Sequence, residues 1–129
     1  MAEIIPNILA FLNNNESVKS LFANRITGDD VPDGQVYPYA YMWEVTSPQQ
    51  YHFTGKSGRI VLVQCDVIDD DSAGVDLAKR TIFDALSGYK GQMGDVKVGR
   101  CFVSEASVPK DPDQKAYRRI LEIEIGTNN

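Results

Sequence analysis

His52 is the only histidine in the 129-residue chain, and Cys65 and Cys101 are its only cysteines. A lone histidine cannot supply a multi-histidine zinc site, and no Cys-x-x-Cys pair assists it. Nucleophilic catalysis would need a nucleophile, His52 and an orienting acid to converge. Cys65 is the obvious thiol, but its mid-strand position reads as a buried, inert side chain. Asp69-Asp70-Asp71 clusters carboxylates, yet without the alternating ligands and later glutamate of an EF-hand loop. A solvated, helix-capping turn is the favoured reading of that cluster. Gly88, Gly91, Gly94 and Gly99 surround a turn but lack the strand-loop-helix context and lysine of a phosphate loop. Arg118 and Arg119 stand next to Tyr117 at the start of the last strand. Arginine and tyrosine are enriched at protein interfaces, which makes these two arginines interface candidates. The residues therefore predict no catalytic centre, no cofactor and no metal.

The elements that must position these residues are clearer than the chemistry. Arg59 to Ile68 reads as one long strand, apolar on both faces. Val61, Val63, Cys65 and Val67 fall on one side; Ile60, Leu62 and Ile68 fall on the other. Such a strand is central or is covered by a partner. An amphipathic helix from Ser72 to Tyr89 follows, with Ser72 as N-cap and the acidic turn near the positive end of its dipole. Val75, Ala78, Ile82, Ala85 and Leu86 form its buried stripe, with Phe83 at the edge. Gly88 is placed to end it.

Upstream, Glu3 to Asn13 predicts a helix with Pro6 in its first turn, and Glu16 to Ala23 a second. Thr27 to Pro38 reads as a loop rich in glycine, aspartate and proline. Tyr39 to Thr46 is a strand whose alternation puts Tyr39, Tyr41 and Trp43 on one face. Ser47 to Ser57 is a long polar loop holding His52, of the kind that is functional or mobile. Gly91 to Lys97 reads as a loop and Val98 to Val108 as a third strand. Pro109 to Lys115 is a second polar loop. Ala116 to Ile125 is the last strand, with Leu121, Ile123 and Ile125 inward and Glu122 and Glu124 outward. Gly126 to Asn129 reads as a frayed tail. The expected fold is α+β, a single domain over residues 1–129. It has an antiparallel, about four-stranded sheet with helices packed on one face, in two layers.

The bulk composition fits a globular domain, with 43% hydrophobic and 24% charged residues. No apolar run is long enough to span a membrane. Met1-Ala2-Glu3-Ile4-Ile5-Pro6 lacks the basic start of a signal peptide. Two cysteines without such a signal read as reduced thiols. A net charge of −5 argues against a dedicated nucleic-acid binder. It is compatible with a passage through which DNA slides, and equally with plain solubility.

Four stretches, in order, carry a resemblance. They are Tyr37-Pro38-Tyr39-Ala40-Tyr41; Gly58-Arg59-Ile60-Val61-Leu62-Val63-Gln64-Cys65-Asp66; a helix with Ala78-Lys79-Arg80; and Tyr117-Arg118-Arg119-Ile120-Leu121. Together the chain resembles the tail completion or tail terminator proteins of long-tailed bacteriophages and prophages, from the first helix to residue 125. The resemblance implies a non-enzymatic virion protein, assembled in the host cytoplasm. It implies a ring, usually of six copies, at the head-proximal end of the tail. Its partners would be further copies of itself, the tail tube protein, and a head-tail connector or stopper. DNA would pass through the lumen without specific binding. The ring surface would draw on Gln50, Tyr51, His52 and Phe53 in the first polar loop. Arg59, Lys110 and Asp113, Arg118 and Arg119 would contribute to it as well. A closed ring requires a heterologous interface, one patch meeting a different patch on the next copy. The rival readings are another neck or connector protein, a small enzyme built on His52, and a small-ligand binding module.

Overall fold

A computed structural model of the chain describes residues 4–28, 36–45, 58–106 and 116–128. The loops from Ser47 to Ser57 and from Pro109 to Lys115 lie outside the described residues. So do Gln50, Tyr51, His52, Phe53, Lys110 and Asp113 and the side chain of Arg59.

The long strand organises everything else. It is β3 (Gly58–Asp69), and it pairs on one side with β2 (Tyr39–Glu44) and on the other with β6 (Tyr117–Asn128), both antiparallel. Alternation sends Val61, Val63, Cys65 and Val67 to one face, where all are buried. Register places Ile125, Ile123 and Leu121 of β6 beside the first three of these. Cys101 and Val103 of β5 (Val96–Ala106) extend the same apolar surface.

Three described helices cover that surface: α1 (Ile4–Asn13), α2 (Glu16–Phe22) and α3 (Ser72–Leu86). Ile4, Ile8 and Leu12 of α1 lie at a helical spacing and share one core with Val18 and Phe22 of α2. Val75, Ala78, Ile82 and Leu86 of α3 complete it. Asn15 caps α2 by accepting the Val18 N–H at 3.2 Å. At α3 the cap is Asp71, which accepts from Gly74 N–H at 2.9 Å, and not Ser72, which is already helical. A carboxylate serves there better than a hydroxyl because it also complements the dipole.

The sheet has six strands among the described residues, in the order β1-β2-β3-β6-β5-β4, and it is mixed. The inner four are antiparallel, as the sequence predicts. The expectation of about four strands is corrected at both ends. β1 (Ile26–Gly28) runs parallel to β2 and overlaps the start of the segment read as a loop from Thr27. β4 (Gly91–Met93) forms a hairpin with the start of β5, inside a segment read as a loop. Each is three residues long, too short for alternation to register. The tail also departs from expectation: β6 continues through Asn128, pairing with Gly58 and Lys97.

Candidate functional site

The helices lie on one face of the sheet, so its other face is the open one among the described residues. The same alternation that buries Val61 and Val63 sends Ile60, Leu62, Gln64 and Asp66 of β3 to this face. Register adds Tyr41 and Trp43 from β2, Arg118, Ile120, Glu122 and Glu124 from β6, and Phe102 from β5. Ile60, Leu62 and Ile120 are half-buried by their neighbours, while Phe102 is 56% exposed.

At the centre of this face Asp66 is fully buried, with 0% of its surface exposed. Its Oδ2 accepts from the Tyr41 hydroxyl at 3.2 Å and from the Arg118 guanidinium, and its Oδ1 accepts from Gln64 Nε2 at 3.1 Å. Burial, then the Asp66 charge, pushes the Tyr41 phenol upward, so it remains a donor near neutrality. Tyr41 stacks on Trp43 with ring centroids 5.6 Å apart, and Tyr37 stacks on Tyr39 at 5.7 Å. Arg25 holds the approach to β2 by donating from Nε to the Pro38 carbonyl at 3.0 Å. Arg118 is therefore anchored inside its own chain while 34% of its side chain stays exposed.

Arg119 points to the helix face, as alternation requires. Its Nε donates to Asp76 of α3 at 3.0 Å. Lys79 of the same helix reaches Glu105 of β5 at 3.0 Å, so two ion pairs tie α3 across β6 and β5. The two arginines thus serve different surfaces. The sequence missed Asp66 as the organising residue; the signal available was an acid in the interior of a strand whose residues are mostly apolar on both faces.

The described residues hold little chemistry. Cys65 and Cys101 are free and buried on β3 and β5, with β6 between them. Burial pushes their thiols up to about 12 and about 11, which leaves them protonated and unreactive. No group of three or more His, Cys, Asp or Glu suited to a metal occurs among the described residues. A shallow groove of about 400 Å³ lies between α1 and the β4–β5 turn, lined by Ala10, Phe11, Asn14, Asn15, Gln92 and Gly94. It offers amides and apolar atoms but no acid, base or nucleophile.

In the acidic turn Asp69 is 8% exposed and accepts the Asp70 N–H at 2.7 Å. Burial, with the neighbouring Asp70 carboxyl adding to it, raises its pKa above the ordinary 3.8. The folded chain therefore holds this proton more tightly than the unfolded chain. The resulting stability is full below 3.8 and is lost as pH rises through the raised folded value. Asp69→Asn should remove that loss while keeping an acceptor for Asp70. Urea midpoints measured across this pH range should fall less steeply for the variant than for the parent; identical slopes would refute the assignment.

A family model described as tail completion protein gp17 matches residues 6–128. The chain belongs to the tail completion protein gp17 family. This is a family of structural proteins of the bacteriophage virion, and membership places the chain in the tail. No curated protein matches the chain significantly. Among solved structures, a chain from the virion of a native gene transfer agent particle is similar at 15% identity and a TM-score of 0.70. The match covers 95% of this chain and 92% of that one. At that identity the likeness concerns the fold, so the tail completion family and this α+β arrangement are supported by separate comparisons.

Proposed function

We propose that this tail completion protein forms a closed ring at the head-proximal end of the tail tube, stops its growth and offers the surface for head joining. One observation carries the reading. Among the described residues helices pack on one face of the central sheet only, and the other face bears Ile60, Leu62, Phe102 and Ile120 together with a buried, fully engaged carboxylate. Exposed apolar area of this kind marks an assembly surface. The order of events fits as well: a face held rigid by Asp66, Tyr41 and Arg118 is ready to dock without refolding.

In this reading the partners are further copies of the chain, six in a ring, together with the tail tube protein and a connector or stopper. The polar loops holding Gln50, Tyr51, His52, Phe53, Lys110 and Asp113 contact the tube or connector, and Arg59 contributes from the start of β3, at the end of the sheet opposite the β5–β6 connection. The excess of acidic residues keeps the passage from holding DNA. Native mass measurement, with and without purified tail tubes, tests the proposal. A single closed oligomer, six copies in the favoured case, is expected in the presence of tubes. A monomer at every concentration in both conditions would overturn it.

A further inference from the structure

β5 carries more hydrogen-bonding edge than the described residues use. Only Val96, Lys97 and Val98 pair with β4, whose first residue, Gly91, lies opposite Val98. Further along, the Cys101 carbonyl accepts from Gly88 N–H at 2.9 Å, so the Cys101 backbone points away from β6. Backbone direction alternates along a strand, and Val103 and Glu105 point the same way. Among the described residues neither backbone has a partner on that side. Natural proteins normally blunt such an edge. Here the exposed Phe102 stands beside it on the open face.

The far end of the sheet is similar. β1 pairs with β2 at Ala40, Tyr41 and Met42, and among the described residues nothing pairs with β2 on that side beyond Met42. Ala40 N–H bonds outward to the Arg25 carbonyl at 3.0 Å, so by alternation the Glu44 backbone also points outward, where it has no partner among the described residues. Val45 N–H still bonds inward to the Leu62 carbonyl at 2.7 Å, which keeps the chain extended there. Val45 is 41% exposed, and alternation puts it on the open face beside Trp43.

We infer that the free edge of β5 in one copy adds to the free edge of β2 in the next, continuing the sheet across the contact. The inference rests on the ring reading and says which parts of each copy meet. Only extended backbone satisfies a ladder edge, which makes the partner a strand. The two edges are unlike, so a head-to-tail contact uses each once, and a closed ring leaves neither open. Joining them in plane brings Phe102 next to Val45 and Trp43 on one face, an aromatic and β-branched cross-strand grouping.

Phe102→Cys and Val45→Cys, purified separately and mixed under mild oxidation with tail tubes, test the contact. Cys65 and Cys101 are buried and supply no background. A disulfide-linked pair should accumulate in the mixture several-fold above either variant alone. Glu105→Pro, which removes the outward N–H, should weaken oligomers while leaving the monomer's melting curve cooperative; Glu105→Gln should not. An oligomer that forms without the mixed crosslink, and that Glu105→Pro leaves intact, overturns the edge contact and leaves the ring standing. Phe102→Cys linking mainly to itself overturns the edge contact too, since it means like edges meet. A monomer by native mass under all conditions overturns both.

Discussion

Arg118→Leu is expected to destabilise the folded chain by about 3 kcal/mol, because it strips a buried carboxylate of its counter-charge. Asp66 has 0% of its surface exposed and takes one of its three donors from Arg118. The remaining donors, Tyr41 and Gln64, are neutral and cannot balance the charge. Asp66→Leu with Arg118→Leu should recover much of the loss, since removing both charges removes the desolvation cost as well. Asp66→Leu alone should fall between them, as Arg118 is partly exposed and can turn to water. Urea unfolding of the three variants gives the coupling directly; additive effects would show that the pair does not act as a unit.

Gly94→Ala is expected to cost about 2–3 kcal/mol, from two sources of similar size. Gly94 has φ +60, a left-handed conformation that costs an alanine roughly 1–2 kcal/mol. A Cβ there would also stand 1.9 Å from Asn7 Oδ1, which must swing away. That oxygen accepts the Asp95 N–H at 3.1 Å and latches α1 to the β4–β5 turn. Losing one such bond costs about 1 kcal/mol. In Asn7→Ala the clash is relieved, so Gly94→Ala should cost less in that background. An equal cost in both backgrounds would remove Asn7 from the explanation.

Much of the fold was legible because its longest elements have strong periods. The alternation along β3, β5 and β6 and the helical stripe Val75, Ala78, Ile82, Leu86 identify core and outer faces without further help. Opposite faces for Arg118 and Arg119 followed from the same period of two. What escaped was short or non-local. β1 is three residues in a stretch of turn-forming residues, and its parallel pairing with β2 depends on the path of the intervening chain. Asp66 was hidden in another way: its partners Tyr41 and Arg118 lie 25 and 52 positions away, beyond the reach of any local pattern. The place of the chain among tail structural proteins was readable through family resemblance; the residues alone offered no catalytic grouping around His52 and Cys65.

The order of the strands bears on when this surface comes into being. β6 is the last described element in the chain, yet it sits between β3 and β5 at the middle of the sheet. Until the ribosome has released it, β1-β2-β3 and β5-β4 are separate pieces with no strand to join them. The Arg118 guanidinium that engages Asp66 also arrives only then. Such long-range closure is slow compared with helix formation. A nascent chain therefore has no finished open face and no anchored carboxylate. Assembly must wait for the whole domain, so the last strand acts as a timer set by translation.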